Sequence, residues 1–156
     1  MVRVLFVCLG NICRSPTAEA VLRAHASRAR LKVEVRSAGT GASHVGEGAD
    51  PRTVRHARAR GYDLSAHRAR QLSDSDFAQF DQLLAMDEAN LDALRQRCPA
   101  EHLPKLGLFL ELAPSLGVRE VPDPWSGGPD GFERVLDLVE EASRGLVEEL
   151  RRTQAA

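Results

Sequence analysis

The stretch Val2-Arg3-Val4-Leu5-Phe6-Val7-Cys8-Leu9-Gly10-Asn11-Ile12-Cys13-Arg14-Ser15-Pro16 decides the fold of this chain. Apart from Arg3, the residues from Val2 to Val7 are apolar, the short run expected of a parallel strand buried on both faces. Cys8 therefore stands at a strand's C-terminal end. Beyond it, Ser15 suits a helix N-cap, Pro16 the first helical position, and Ala18, Val21, Leu22 and Ala29 mark an apolar helical face. The unit reads strand, loop, helix, with the loop feeding a helix N-terminus.

A loop in that position is an anion cradle. Unpaired N–H groups and the positive end of the helix dipole bind tetrahedral oxyanions and stabilise a thiolate. Gly10 is expected to let the loop curl against a ligand, and Arg14 to return a planar fork of donors to two oxygens of the same anion. Cysteines near helix N-termini and cations titrate between roughly 3.5 and 7.5 instead of ~8.5, so a Cys8 thiolate is expected at neutral pH. The implied chemistry is attack of sulfur on phosphorus, giving a phosphocysteine that water then hydrolyses. Arg14 and the loop amides carry the charge, so neither metal nor cofactor is required. A Walker-type nucleotide loop is excluded because no Gly-Lys-Ser/Thr follows.

Outward from this unit, Lys32 to Ser37 alternates with Val33 and Val35 on one face, completing a βαβ unit. Asp50-Pro51 starts a second helix that Gly61 stops, and Ser73 with Asp76 resembles a capping box before Phe77. Leu83 to Met86 predicts a third strand, Asp87 caps the helix towards Arg97, and Leu106 to Leu112 predicts a fourth strand. A Pro- and Gly-rich loop from Pro122 to Pro129 precedes a long helix whose Phe132, Val135, Leu136, Val139, Leu146, Val147 and Leu150 recur at helical spacing. Strands alternating with helices predict an α/β, doubly wound, flavodoxin-like three-layer fold with a parallel sheet. Ligands of such folds bind beyond the strand C-termini, where Cys8 lies.

An ester leaving group departs more readily when protonated, so a second essential residue should be an acid on a loop that reaches the cradle. Asp123, fixed between Pro122 and Pro124, is the candidate, and Trp125 could wall an aromatic slot. An acid and nucleophile so paired predict a bell-shaped pH profile. Cys13 is close enough to trap an oxidised Cys8 as a disulfide, although a small loop-packing residue would read the same. His67 reads as a packed or hydrogen-bonded histidine, and Ser37 and Asn11 as loop-capping polar residues. His25, His44, His56 and His102 lack metal-ligand spacing, and Arg52, Arg55, Arg58, Arg60, Arg68 and Arg70 read as a solvated face.

The segment Val7 to Pro16 resembles the signature of the low-molecular-weight protein tyrosine phosphatases, and Val121-Pro122-Asp123-Pro124-Trp125 resembles their general-acid loop. Ser37-Ala38-Gly39-Thr40, His67-Arg68-Ala69-Arg70-Gln71 and Leu84-Ala85-Met86-Asp87-Glu88-Ala89-Asn90-Leu91 resemble further family segments in the same order. The resemblance implies a four-stranded sheet of order 2-1-3-4. It implies Cys8 as nucleophile, Asp123 as proton donor, and Arg14 as the group that binds phosphate and steadies the transition state. Leu9, Gly10, Asn11, Ile12, Cys13 and Ser15 would complete the phosphate loop, Ser15 also hydrogen-bonding the thiolate. Asn11, Ser37 and His67 would hold that loop in shape, and Cys13 would be the redox partner of Cys8. The expected substrate is a phosphotyrosine-containing protein or peptide, with phosphate and other oxyanions as inhibitors. Ile12, Ser43 and Trp125 fall at the substrate slot. Many relatives carry Trp or Tyr at the place of Ser43, and more often Tyr at that of Trp125, so one stacking wall is reduced.

Competing functions are weighed by single residues. Protein-arginine phosphatases of the same scaffold typically have Thr where Ile12 stands, and thiol-dependent arsenate reductases need two further cysteines where only Cys98 lies downstream. A non-catalytic phosphate-binding or redox-sensing module would not need Asp123. The 156 residues suit one domain, 1–156, and 21 basic against 22 acidic residues give a net charge of −1, with no bulk attraction for nucleic acid or an anionic membrane. The N-terminal apolar run is too short for a signal-peptide core or a membrane span. Three cysteines complete no disulfide framework and lack zinc-site spacing, so a reducing cytoplasm is expected.

Overall fold

The computed structural model describes residues 1–125 and 127–155. In chain order it contains β1 (Val2–Cys8), α1 (Arg14–Arg28), β2 (Val33–Gly39), α2 (Pro51–Ala59), α3 (Asp76–Gln79), β3 (Gln82–Ala85), α4 (Glu88–Arg97), β4 (Leu106–Leu108) and α5 (Pro129–Ala155). The strands form a four-stranded parallel sheet of order β2-β1-β3-β4. The expected doubly wound architecture and strand order are both present.

Alternation along β1 sorts the core into two faces. Val4, Phe6 and Cys8 pack with Val21 and Leu22 of α1 and with Val135, Val139 and Leu146 of α5. Leu5 and Val7 face the other way, against Phe77, Leu91 and Leu94 from α3 and α4. The chain leaves β1 for β2 on one side, then crosses to β3 on the other, so the crevice beyond β1 is the topological switch point. All the periodic apolar positions expected in α5 are buried.

Two close approaches fix this packing. Cys8 pairs in register with Gly39, where an added Cβ would lie 2.7 Å from the Leu9 carbonyl oxygen. In α5, a Cβ on Gly145 would lie 2.0 Å from the Leu112 carbonyl oxygen, so the helix backbone rests directly on that turn.

Local departures from the sequence reading have local causes. The fourth strand ends at Leu108, and Phe109–Leu112 is a 3-10 turn whose Phe109 and Leu110 are buried. A short apolar run does not distinguish a buried strand from a buried turn. Helix α1 begins at Arg14, so Ser15 lies inside it and does not cap it. Helix α3 begins at Asp76, whose carboxylate reaches back to accept the Ser73 N–H at 2.8 Å, one half of a capping box. Asp50 and Asp87 do cap α2 and α4, accepting N–H groups of Arg52 and Asn90. No helix among the described residues is long and apolar enough to cross a membrane.

Candidate active site

The loop between β1 and α1 wraps around the Cys8 sulfur. The Asn11 N–H donates to Sγ at 3.3 Å, and the Ser15 hydroxyl lies 3.0 Å from it. Ser15 Oγ accepts from Asn11 Nδ2 at 2.8 Å, leaving its own proton for sulfur. Asn11, and not Gly10, is the left-handed residue of the loop, with φ 57°. A left-handed non-glycine costs about 1–3 kcal/mol, and asparagine tolerates it better than most.

Asn11 is buried, and its polar groups are tied down on every side. Besides Ser15, Nδ2 donates to Ser37 Oγ at 3.0 Å, and Oδ1 accepts the Arg70 N–H at 2.9 Å. The Asn11 carbonyl accepts from His67 Nε2 at 2.7 Å, which fixes that ring's tautomer. The Ser37 hydroxyl in turn donates to Glu19 at 2.6 Å. Each bond adds about 1 kcal/mol net, together enough to offset the strain.

Arg14 is buried beside the same loop. Its Nη1 donates to Asp87 at 2.7 Å and to the Val121 carbonyl at 2.9 Å. Its Nε and Nη2 carry no hydrogen bond among the described residues, so one edge of the fork faces the cradle. Asp123 lies across that edge, Oδ2 3.9 Å from Arg14 Nη2, while Oδ1 accepts the Trp125 N–H at 3.1 Å. Cys8, the loop, Arg14 and Asp123 line a cavity of about 220 Å³, walled by Gly41, Ser43, His44 and Trp125. A buried sulfur with two donors, an open guanidinium edge and a carboxyl group at the rim can hold a tetrahedral anion and transfer a proton to its ester oxygen.

The family model described as low molecular weight phosphotyrosine protein phosphatase matches residues 3–156. The chain belongs to this phosphatase family. A low molecular weight protein-tyrosine-phosphatase of Streptomyces coelicolor is 49% identical over 154 residues, covering 96% of this chain and 93% of that protein. The crystal structure of a protein tyrosine phosphatase of Entamoeba histolytica, with Hepes in its active site, superposes with a TM-score of 0.95 at 39% identity, covering 99% of each chain. Wzb of Vibrio vulnificus in complex with benzylphosphonate superposes with a TM-score of 0.84 at 30% identity, covering 95% of this chain and 98% of that one. Membership places the chain among the phosphomonoester hydrolases of the low-molecular-weight cysteine type.

In this phosphatase the slot wall differs from the sequence reading. His44, to which the sequence reading gave no part in the slot, lines the cavity beside Ser43, its ring centroid 5.6 Å from that of Trp125. Ile12 and Cys13 are buried with Ala69 and Phe132. Burial pushes the Cys13 thiol up to about 12, Asp50, Asp123 and Cys8 adding in the same direction and a Thr53 hydrogen bond opposing. All three cysteines are free, and Cys98 lies away from the cavity, its thiol directed at the Pro99 carbonyl.

Sequence reasoning missed the groups that hold the site from a distance. Asp87 was legible as a helix cap, not as the partner of Arg14. Arg52, Arg60 and Arg70 are not a solvated face: Arg70 binds the buried Asp76, Arg60 binds Glu133, Asp137 and Glu140, and Arg52 binds Asp50. No pattern in the one-dimensional sequence joins these partners. Among the described residues no three His, Cys, Asp or Glu side chains form a metal-holding group.

Proposed function

We propose that this phosphatase hydrolyses phosphotyrosine in proteins or peptides, and small aryl phosphates, through a phosphocysteine on Cys8. The observation that carries the reading is the convergence of two donors on Cys8 Sγ at the base of a cavity whose rim holds the open edge of Arg14 and the carboxyl group of Asp123. Sulfur attacks phosphorus as the P–O bond to the phenol breaks. Protonated Asp123 gives its proton to the departing oxygen, leaving neutral phenol. Water then attacks phosphorus, Asp123 takes a proton from it, the S–P bond breaks, and inorganic phosphate leaves the regenerated thiolate.

Arg14 Nε and Nη2, with the amides of residues 9–14, hold the equatorial oxygens, which carry the charge of the transition state. Ser15 hydrogen-bonds the departing thiolate, and Asn11, Ser37 and His67 keep the loop in the shape that aims its amides inward. The Trp125 and His44 rings flank the entrance, and Ile12, Ser43 and Trp125 contact the aryl group. When a peroxide oxidises Cys8 to a sulfenic acid, itself reduced to water or an alcohol, the sulfenic acid would condense with the Cys13 thiol, losing water. That step is slow because the buried Cys13 thiol stays protonated. Free buried thiols suit a reducing cytoplasm.

The test is phosphate release from matched phosphotyrosine and phosphoarginine peptides, in chelator, against a Cys8→Ser blank. Turnover of phosphotyrosine that vanishes in the blank is expected. Preference for phosphoarginine would overturn the substrate assignment. A second expectation concerns the acid. Asp123→Asn should lower kcat/KM about 10²-fold or more for phenyl phosphate, and much less for p-nitrophenyl phosphate, whose leaving group needs little protonation. Equal losses on the two esters would remove Asp123 as proton donor.

A further inference from the structure

Besides the Arg14 bond to the Val121 carbonyl, a side chain from α2 ties the loop that carries Asp123 to the phosphate cradle. Asp50, the buried cap of α2, donates its N–H to the Ile12 carbonyl at 2.9 Å, fastening the start of α2 to the phosphate loop. Its carboxylate grips the Arg52 guanidinium at both oxygens, Oδ1 accepting from Nε at 3.1 Å and Oδ2 from Nη2 at 2.9 Å. The same Nη2 donates to the Trp125 carbonyl at 2.9 Å. The guanidinium lies 5.5 Å from the centroid of the Trp125 ring and 4.8 Å from that of Phe132 in the first turn of α5.

We propose that Arg52 is a positioning residue that holds the Trp125 peptide and, through it, aims Asp123 at the ester oxygen. This rests on the function proposed above. The Trp125 peptide is held at both ends: its carbonyl by Arg52, its N–H by Asp123 Oδ1. Fixing Oδ1 leaves Oδ2 as the oxygen that faces Arg14 and the cradle. An unbroken path of bonds runs Ile12, Asp50, Arg52, Trp125, Asp123, so acid and phosphate loop are registered to each other and not only to the sheet. Burial alone would raise the Asp50 carboxyl, but the Arg52 side-chain and backbone bonds outweigh it and hold it below its ordinary value, so the anchor stays charged. A planar fork that stacks while it donates is what arginine supplies and lysine does not.

The test uses the full chain with phenyl and p-nitrophenyl phosphate, comparing kcat/KM for wild type, Arg52→Gln, Asp123→Asn and the double variant. Arg52→Gln is expected to lose about tenfold on phenyl phosphate and less than about threefold on the nitrophenyl ester, since a misplaced acid matters most where a proton is needed. In the Asp123→Asn background it is expected to cost no more than about twofold on either ester, because its effect passes through the carboxyl group.

Equal losses on both esters, or a loss undiminished in the Asp123→Asn background, would overturn the proposal, as either is what a merely structural arginine gives. If Arg52→Gln does not fold, Arg52→Lys carries the same comparison, keeping a cation beside Asp50 but not the fork. A wild-type enzyme whose Asp123→Asn variant loses equally on both esters refutes the parent reading. If Asp123→Asn shows the expected unequal losses while Arg52→Gln loses equally on both esters, only this inference is refuted.

Discussion

Cys8→Ser is expected to lower turnover of a phosphotyrosine peptide by about 10⁴-fold or more, while the peptide still binds within a few-fold of its wild-type affinity. The separation follows from where the groups sit. On the proposed mechanism binding rests on the loop amides and on the open edge of Arg14, and serine keeps an acceptor for the Asn11 N–H. Attack rests on the sulfur alone, because a serine hydroxyl is not ionised at neutral pH and the Asn11 and Ser15 donors around it supply no base. Calorimetric titration and phosphate release on the same preparation check both halves. Residual turnover within about a hundredfold of wild type would mean another nucleophile, and loss of binding would mean that sulfur itself holds the cradle open.

Gly145→Ala tests the packing of α5 and should be among the most damaging methyl additions in the chain. In a helix interior this exchange ordinarily gains up to about 1 kcal/mol. Here the new Cβ would stand 2.0 Å from the Leu112 carbonyl oxygen and 2.9 Å from its carbon, both backbone atoms, so no rotamer change relieves the overlap. Overpacking of this kind costs about 3 kcal/mol. The net loss of about 2 kcal/mol should lower Tm by roughly 4–8 °C in a chain of this size. Chemical denaturation and a thermal scan measure it, and an unchanged or raised Tm would show that α5 shifts freely off the Phe109–Leu112 turn. Activity at low temperature should be nearly unaffected, since the turn lies away from the cavity.

What could be read from the sequence was local. The strand up to Cys8, the helix after it and the caps at Asp50 and Asp87 follow from signals within a few residues of one another, and all are present. Family resemblance supplied the strand order, which periodicity could not. The start of α1 was misplaced by two residues, the cap being Cys13 and not Ser15, because a good cap sequence also suits the first turn, where the Ser15 hydroxyl serves Cys8 instead of the helix. Gly10 was expected to carry the unusual backbone, yet Asn11 does, because its amide can bond Ser15, Ser37 and Arg70 together and a glycine there could not. Arg52 and His44 escaped notice for one reason. The contacts that bring them to the site, with Trp125 for both and Phe132 for Arg52, lie far along the chain, and a polar residue on a helix or loop looks the same whether it meets water or a neighbour.

The placement of α5 has a consequence for biosynthesis. Its 27 residues follow every strand in chain order, yet they cover the face of β1 that carries Val4, Phe6 and Cys8. During translation the sheet and α1 emerge first, with that apolar face bare until the final helix leaves the ribosome. Cys8 is thus made early and enclosed late, and in that interval the bare face of the sheet is most prone to associate with other chains.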